Sequence, residues 1–340
     1  MRDSRASVPR TPATNARGGQ IQSAQELLTL DTSQYLHYPW GDLDGIIRGI
    51  APGKFWMLAG YSGVGGKTTF LTNLTLSWVN AGTSVYFVPL ETPPDEVWLR
   101  LACLSLGIAV GDVLTGDSTR WPNWYEQRER IHWRLAEWNA AQAEGTLPFW
   151  VHPADRADSG VIEEATLEAS MLGADVLILD HVDHIAGDPQ RGEYGVSRDV
   201  MTALDTARKR DPMLRLLVAT QLNQDAVKGD PLAKVLPPLE SHIKMGGHKR
   251  EVVDGMLGLY RPLRRGTTGD QLKQVRQRAL DPMTLVEPGQ MGIEVMKHRA
   301  RGDLLGRQAV LAVEASGRIA DLPERDRYGT GYEDRKLIGV

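Results

Sequence analysis

Residues 58–70 read LAGYSGVGGKTTF, and this stretch decides the fold. An apolar run, Phe55–Ala59, with the character of a buried strand precedes it, and a segment with helical periodicity, Thr68–Asn80, follows. A glycine-rich turn from strand to helix is the context of a phosphate-binding loop. Glycines let the main chain close around phosphate oxygens, and successive N–H groups and the helix N-terminus point at the anion. The expected nucleotide contacts are Gly60, Ser62, Gly63, Gly65, Gly66, Lys67, Thr68 and Thr69. Lys67 is expected to reach the β- and γ-phosphates, and Thr68 to hold Mg²⁺. The usual G-x4-G-K-[ST] spacing puts Tyr61 where the first glycine belongs. Either Tyr61 is tolerated there, or the loop is one residue longer and begins at Gly60.

Working outward, strands alternate with helices. Ser84–Leu90 reads as a continuous apolar strand, and Pro93–Leu106 as a helix with Thr92 as its N-cap. Residues 122–143 read as a helix, Phe149–His152 as a short strand and Gly160–Met171 as a helix. Val176–Leu179 is a buried strand, Ser197–Lys209 a helix and Leu214–Thr220 a strand. Gln224–Arg250 reads as long loops; Met256–Tyr260, Gly292–Met296 and Gln308–Val313 read as later strands. Strands apolar on both faces and alternating with helices imply an α/β fold, a mostly parallel twisted sheet with helices on both faces. Residues 1–24 read as a flexible arm, 25–37 as a linker with a short helix at Ala24–Leu30, 38–322 as the folded domain and 323–340 as a tail.

A phosphate loop needs an acidic partner. VLILDHVDHI supplies Asp180 at the end of a buried strand, where it is expected to hold Mg²⁺ with Thr68. Asp183 and His184 read either as a metal pair or as a polar loop. Glu91 ends the strand SVYFVPLE; it either polarises the attacking water or stabilises the dipole of the next helix. Trp124, Ile131, Leu135 and Trp138 recur at helical spacing, which fits a core-facing stripe better than a base-stacking platform.

The 340 residues are 41% hydrophobic and 24% charged, the balance of a folded chain. The single cysteine, Cys103, excludes an internal disulfide and argues against a cysteine zinc site, so a reducing, cytoplasmic setting fits. No apolar run approaches the roughly 20 residues that span a bilayer, and no membrane association is expected. The net charge of −4 excludes nucleic-acid binding through global positive charge but not through a local strip. Residues 241–301 carry twelve basic and six acidic residues, a local excess that suits sequence-independent phosphate contact.

GDLDGIIRGIAPG, the phosphate loop, VPLETPPDEVWLRLACLSLGI, VLILDH, VATQLNQ, DGMLGLYRP and MKHRARG occur in that order. Together they resemble the ATPase domain of DnaB-type replicative helicases, within the RecA-like superfamily of P-loop NTPases, from about Tyr38 to Leu322. The resemblance implies a RecA-like core acting as a homo-hexameric ATP-dependent helicase on single-stranded DNA, with ATP and Mg²⁺ as cofactors. It implies that Glu91 is the catalytic glutamate and that Gln221 senses the γ-phosphate. It also implies that Lys297 and Arg299 reach into a neighbouring subunit's nucleotide, with Arg301 a competitor for the finger role. Lys244, Gly246, Gly247, Lys249 and Arg250 are expected on the DNA, although the family's Arg-Glu-Ser-Gly is here Lys244, Met245, Gly246 and Gly247. No helical collar domain precedes residue 38 and no zinc-binding primase domain is read in the sequence; a separate primase or loader is among the candidate partners. That compact form suggests a phage or plasmid origin. The insertion that starts at Arg261 is longer than the family pattern. Two alternatives remain: a recombinase-like filament ATPase, and a nucleotide-gated loader or adaptor with little turnover.

Overall fold

The structure is a computed structural model that describes residues 32–62, 66–115, 123–153, 158–186, 192–223, 225, 228, 236–243, 246–260 and 289–323. β1 (Phe55–Gly60) is buried at every residue. It lies between two parallel partners, β5 (Arg215–Gln221) and β6 (Gly255–Tyr260). β2 (Val85–Pro89) and β4 (Val176–Asp180) are buried throughout as well, as expected when helices cover both faces. With β3 (Phe149–Val151), β7 (Gln290–His298), β8 (Gln308–Val313) and β9 (Ile319–Asp321), they form a nine-stranded sheet among the described residues, ordered β3-β2-β4-β5-β1-β6-β7-β8-β9. β3 to β6 run parallel to their neighbours; β7, β8 and β9 add an antiparallel extension.

Alternate residues of each strand feed two cores. Trp56 and Leu58 face α1 (Gly41–Ile47), α2 (Lys67–Asn80) and α3 (Pro94–Leu106), through Leu43, Phe70, Leu74 and Leu101. Phe55, Met57 and Ala59 face α6 (Gly160–Met171) and α7 (Gly192–Arg210), through Ile162, Ala165, Met201 and Leu204. A third, smaller core joins α3 to α4 (Val110–Thr115) and α5 (Trp124–Ala143) through Cys103 and Ile131. The start of the domain is sewn to its end: the Trp40 indole donates to the Ile319 carbonyl, and the Gly41 and Asp42 amides donate to Asp321.

Register fixes the site. Gly60 pairs with Gln221, and Pro89 with Asp180. The C-terminal ends of β1, β2, β4 and β5 therefore share one edge. His298 pairs with Gly255, which pairs with Trp56, so the end of β7 lies at the opposite edge.

Several expectations shift. The α3 helix starts at Pro94 after Pro93, and no side chain caps it, so Thr92 is not the N-cap; a proline in the first turn sets the entry instead. The α7 helix begins at Gly192 rather than Ser197. The α4 helix and β9 were not expected. Part of 224–250 is helical: a short 3-10 turn at Glu240–His242 and α8 (Gly246–Val252), whose glycine start hides a helix from propensity. On α5, Ile131 is buried, while Leu135 and the Trp138 ring, 6.1 Å from Trp98, are half-buried against the same core; these three residues of the stripe face the core, Trp124 is half-buried, and Trp133, outside the stripe, is 71% accessible. No helix among the described residues is long and apolar enough to cross a membrane. The arm, the Ala24–Leu30 helix, most of the tail and the insertion with Lys273–Arg278 lie outside the described residues.

A close contact between paired strands gives a stability test. A Cβ on Gly255 would lie 2.6 Å from the Trp56 indole of the paired strand. Gly255→Ala is expected to cost about 1–3 kcal/mol by overpacking. A urea midpoint lowered at unchanged slope is the expected signature; an unshifted midpoint would contradict the packing.

Candidate active site

Strand β1 ends at Gly60 and α2 begins after Gly66, whose φ of 67° is left-handed, a conformation that glycine adopts without strain. Gly63 and Gly65 of the expected loop lie outside the described residues. Ser62, Gly66, Lys67, Thr68 and Thr69 line a cavity of about 370 Å³, with Glu91, Glu96 and Arg100 on the far wall. Tyr61 is only 1% accessible: its ring packs in the core and its hydroxyl lies 2.7 Å from His242 Nδ1. A residue larger than glycine at the first-glycine position is thus accommodated with its ring in the core, while Tyr61 still borders the cavity. The Lys67 ammonium donates to the Gly60 carbonyl at 3.2 Å. Burial lowers its pKa, and Asp180, Glu91 and Asp183 oppose that shift.

The register brings the acids to this turn. Asp180 is 3% accessible, lies near the Thr68 side chain, and its Oδ1 has no hydrogen-bond partner among the described residues. Burial pushes its carboxyl upward, against the pull of Thr68, His181 and Lys67. Two oxygen donors with one buried oxygen unsatisfied suit a hard divalent cation such as Mg²⁺. Glu91 follows β2, with its Oε2 3.1 Å from His181 Nε2 and 3.9 Å from His184 Nε2.

Gln221 and Asp183 organise the rest. The Gln221 side-chain nitrogen lies 2.8 Å from His181 Nε2. Asp183 Oδ2 accepts from the Thr220 hydroxyl and the Gln221 amide, and its Oδ1 accepts from Lys249 at 2.8 Å. Burial alone would raise the Asp183 carboxyl; His181, Lys249 and the Gln221 amide outweigh it and hold it well below the usual range. The alternative of an Asp183–His184 metal pair is not formed. Asp183 is committed to Lys249 and the end of β5, whereas the His184 ring sits 4.3 Å from His181 and faces Glu91.

Of the residues expected on DNA, Lys244 lies outside the described residues, and Gly246 and Gly247 open α8. Lys249 corrects the expectation. It is 3% accessible, and its ammonium also donates to Thr220 at 2.7 Å, because Asp183 is a better partner for a buried cation than any solvent-facing anion. The Arg250 carbonyl accepts from Lys297. Arg299 donates to the Glu251 carbonyl at 2.6 Å and to Asp254 Oδ1 at 3.3 Å, at the C-terminal end of α8. Arg301 pairs with Asp303. Lys297 and Arg299 stand at the edge of the sheet opposite Gly60, about 20 Å away along a six-residue strand.

Sequence reading gave no role to His181, Tyr61 or Arg100. His181 could have been flagged from its place directly after Asp180; Arg100 reads as an ordinary i,i+4 partner of Glu96, which it is. Nothing local in the sequence shows that Lys249 is buried.

The same fold occurs in solved structures. A DnaB-like replicative helicase, in a structure describing also its interactions with primase, aligns with a TM-score of 0.64 at 15% identity, over 92% of this chain and 69% of that one. A second structure, an ATPase domain, aligns with a TM-score of 0.63 at 15% identity, over 88% of this chain and 95% of that one. No family model matches the chain, and no curated protein matches it by sequence. The RecA-like ATPase-domain fold expected from the motifs is the fold of the protein.

Proposed function

We propose that the protein is a DnaB-like DNA helicase: an ATPase that works as a ring of six and moves along single-stranded DNA during replication. One observation carries this reading. Lys67 and Thr68 meet Asp180 and Glu91 at one edge of the sheet, while Lys297 and Arg299 stand at the other. Within one copy, Arg299 is too far from the phosphate turn to act on it. Head-to-tail contact brings the two edges of neighbouring copies together, and a rotation that closes makes a ring.

The chemistry follows from the side chains. Lys67 neutralises charge on the β- and γ-phosphates, and Arg299 of a neighbouring copy completes that neutralisation as the γ-phosphoryl group leaves. Glu91 orients and polarises the attacking water. Thr68 and Asp180 would hold Mg²⁺, which when bound supplies further charge neutralisation on the triphosphate. Gln221 reads the γ-phosphate, and its amide shares Asp183 with Lys249, so the sensor strand and α8 are tied through one carboxylate. Movement of α8 then shifts the segment that opens with Lys244, Gly246 and Gly247 against the DNA backbone, with Arg250 following. Lys249 acts in this scheme as the tie rather than as a DNA contact. Primase, with which the DnaB-like neighbour interacts, is the partner class to test first, followed by a loader; a replicative role implies a cytoplasmic setting.

Lys67→Ala is expected to reduce ATP turnover to background, and Glu91→Gln to lower it by roughly 10²–10⁴-fold while retaining nucleotide binding. Arg299→Ala should assemble and bind ATP but hydrolyse it on the order of 10³-fold more slowly. Normal turnover by the Arg299 variant would remove the trans assignment. Lys249→Met leaves Asp183 buried without its cation and should cost about 3–5 kcal/mol in denaturant unfolding. Strand separation on a forked duplex with ATP and Mg²⁺ tests the whole reading. ATP turnover indifferent to single-stranded DNA would reject it, and open filaments by negative-stain microscopy would favour a recombinase-like ATPase.

A further inference from the structure

His181 sits where three groups of the site converge. It is 1% accessible, its ring packs against His184 at 4.3 Å, and its Nδ1 lies 3.5 Å from Asp183 Oδ2. Its Nε2 faces both Glu91 Oε2, at 3.1 Å, and Gln221 Nε2, at 2.8 Å. An imidazole nitrogen has a single hydrogen-bonding direction, as donor or as acceptor. A carboxylate only accepts and an amide nitrogen only donates, so these two contacts require opposite roles of Nε2. Turning the Gln221 amide to present its oxygen changes nothing, because two acceptors then compete for one N–H. Whichever form the ring takes, Glu91 and Gln221 cannot both be fully bonded to it.

We propose that His181 is a positioning residue that makes the placement of Glu91 conditional on Gln221. With the Gln221 amide on His181, Glu91 shares its anchor and is loosely held. When Gln221 turns to a γ-phosphoryl group, Nε2 is left to Glu91 alone and fixes the carboxylate toward the attacking water. Burial between Asp183, 3.5 Å from its Nδ1, and His184 confines the ring, although Nδ1 makes no hydrogen bond among the described residues, and Lys249 and the Gln221 backbone N–H hold Asp183 itself. Water activation thus waits for recognition of the third phosphate, and ADP-sized ligands leave Glu91 slack. The inference rests on the roles given above to Glu91 and Gln221.

The test uses the full chain and steady-state ATP hydrolysis, with binding of a non-hydrolysable ATP analogue and thermal midpoints as controls. His181→Ala is expected to lower kcat by roughly tenfold to hundredfold, as for a misplaced catalytic group, with KM for ATP within about threefold of wild type. His181→Gln places an amide nitrogen near the Nε2 position and should recover most of the loss. His181→Asn places one near Nδ1 and should not. The loss caused by Gln221→Ala should shrink at least about threefold in the His181→Ala background, because the two residues act as a unit. Equal behaviour of the Asn and Gln variants, strict additivity, or His181→Ala turnover within about twofold of wild type overturns the inference. If His181→Ala does not fold, the Gln and Asn pair decides it alone. A wild-type chain with no ATP turnover overturns the phosphate-site reading as well, which separates the two failures.

Discussion

The alignment of β1, β2, β4 and β5 in one parallel register is the constraint from which the rest of the molecule follows. Each strand is buried on both faces, so none has freedom to slide without moving apolar side chains out of both cores. With Gly60 opposite Gln221 and Pro89 opposite Asp180, the residues that follow each strand emerge at the same edge. A glycine-rich turn, two carboxylates and the Gln221 amide are brought together by backbone hydrogen bonding, and their own attraction is not needed to assemble them.

Placing charges there carries an electrostatic cost, and the site meets it by pairing. Lys67, Asp180, His181 and Lys249 are all under a tenth accessible. Burial raises Asp180 and lowers Lys67, so each group favours its neutral form unless the others remain charged. Between the site's two buried aspartates, Asp183 is the one whose partners win over burial, because His181 and Lys249 lie beside it and the Thr220 hydroxyl and Gln221 backbone N–H bond to it directly. It is the fixed point of the network, while Asp180, with one oxygen unsatisfied, is the part open to a cation. The opposite edge carries its own cluster: Asp254 accepts from the Phe55 amide, Arg208 and Arg299. The molecule thus has two charged edges separated by an apolar sheet, a polarity suited to head-to-tail assembly.

Much of this was legible from residue order. Buried parallel strands declare themselves as apolar runs, so β1, β2, β4 and β5 were read to within about two residues. Asp180 and Glu91 were named for the same reason, since a polar residue that terminates an apolar run sits at a sheet edge, whereas Gln221 was named from the family resemblance. Where the chain lacks that contrast, reading fails. The α8 helix opens with two glycines and reads as a loop, and it forms because its later residues are held by Asp183, Arg299 and Lys297. Lys249 looks like any other residue of a basic run. Only the approach of α8 to β5 makes it a buried partner of Asp183.

The sequence by itself determined the parallel α/β core and the glycine-rich turn after β1, and it placed Glu91, Asp180 and Gln221 at or beside strand ends, because period and spacing along one strand are local properties. Tertiary structure alone decided that Tyr61 turns inward to His242, that Lys249 is a tie and not a surface charge, and that one nitrogen of His181 serves two partners. Each of these depends on a contact between segments far apart in the chain, and a side chain's role there is set by what the fold packs against it.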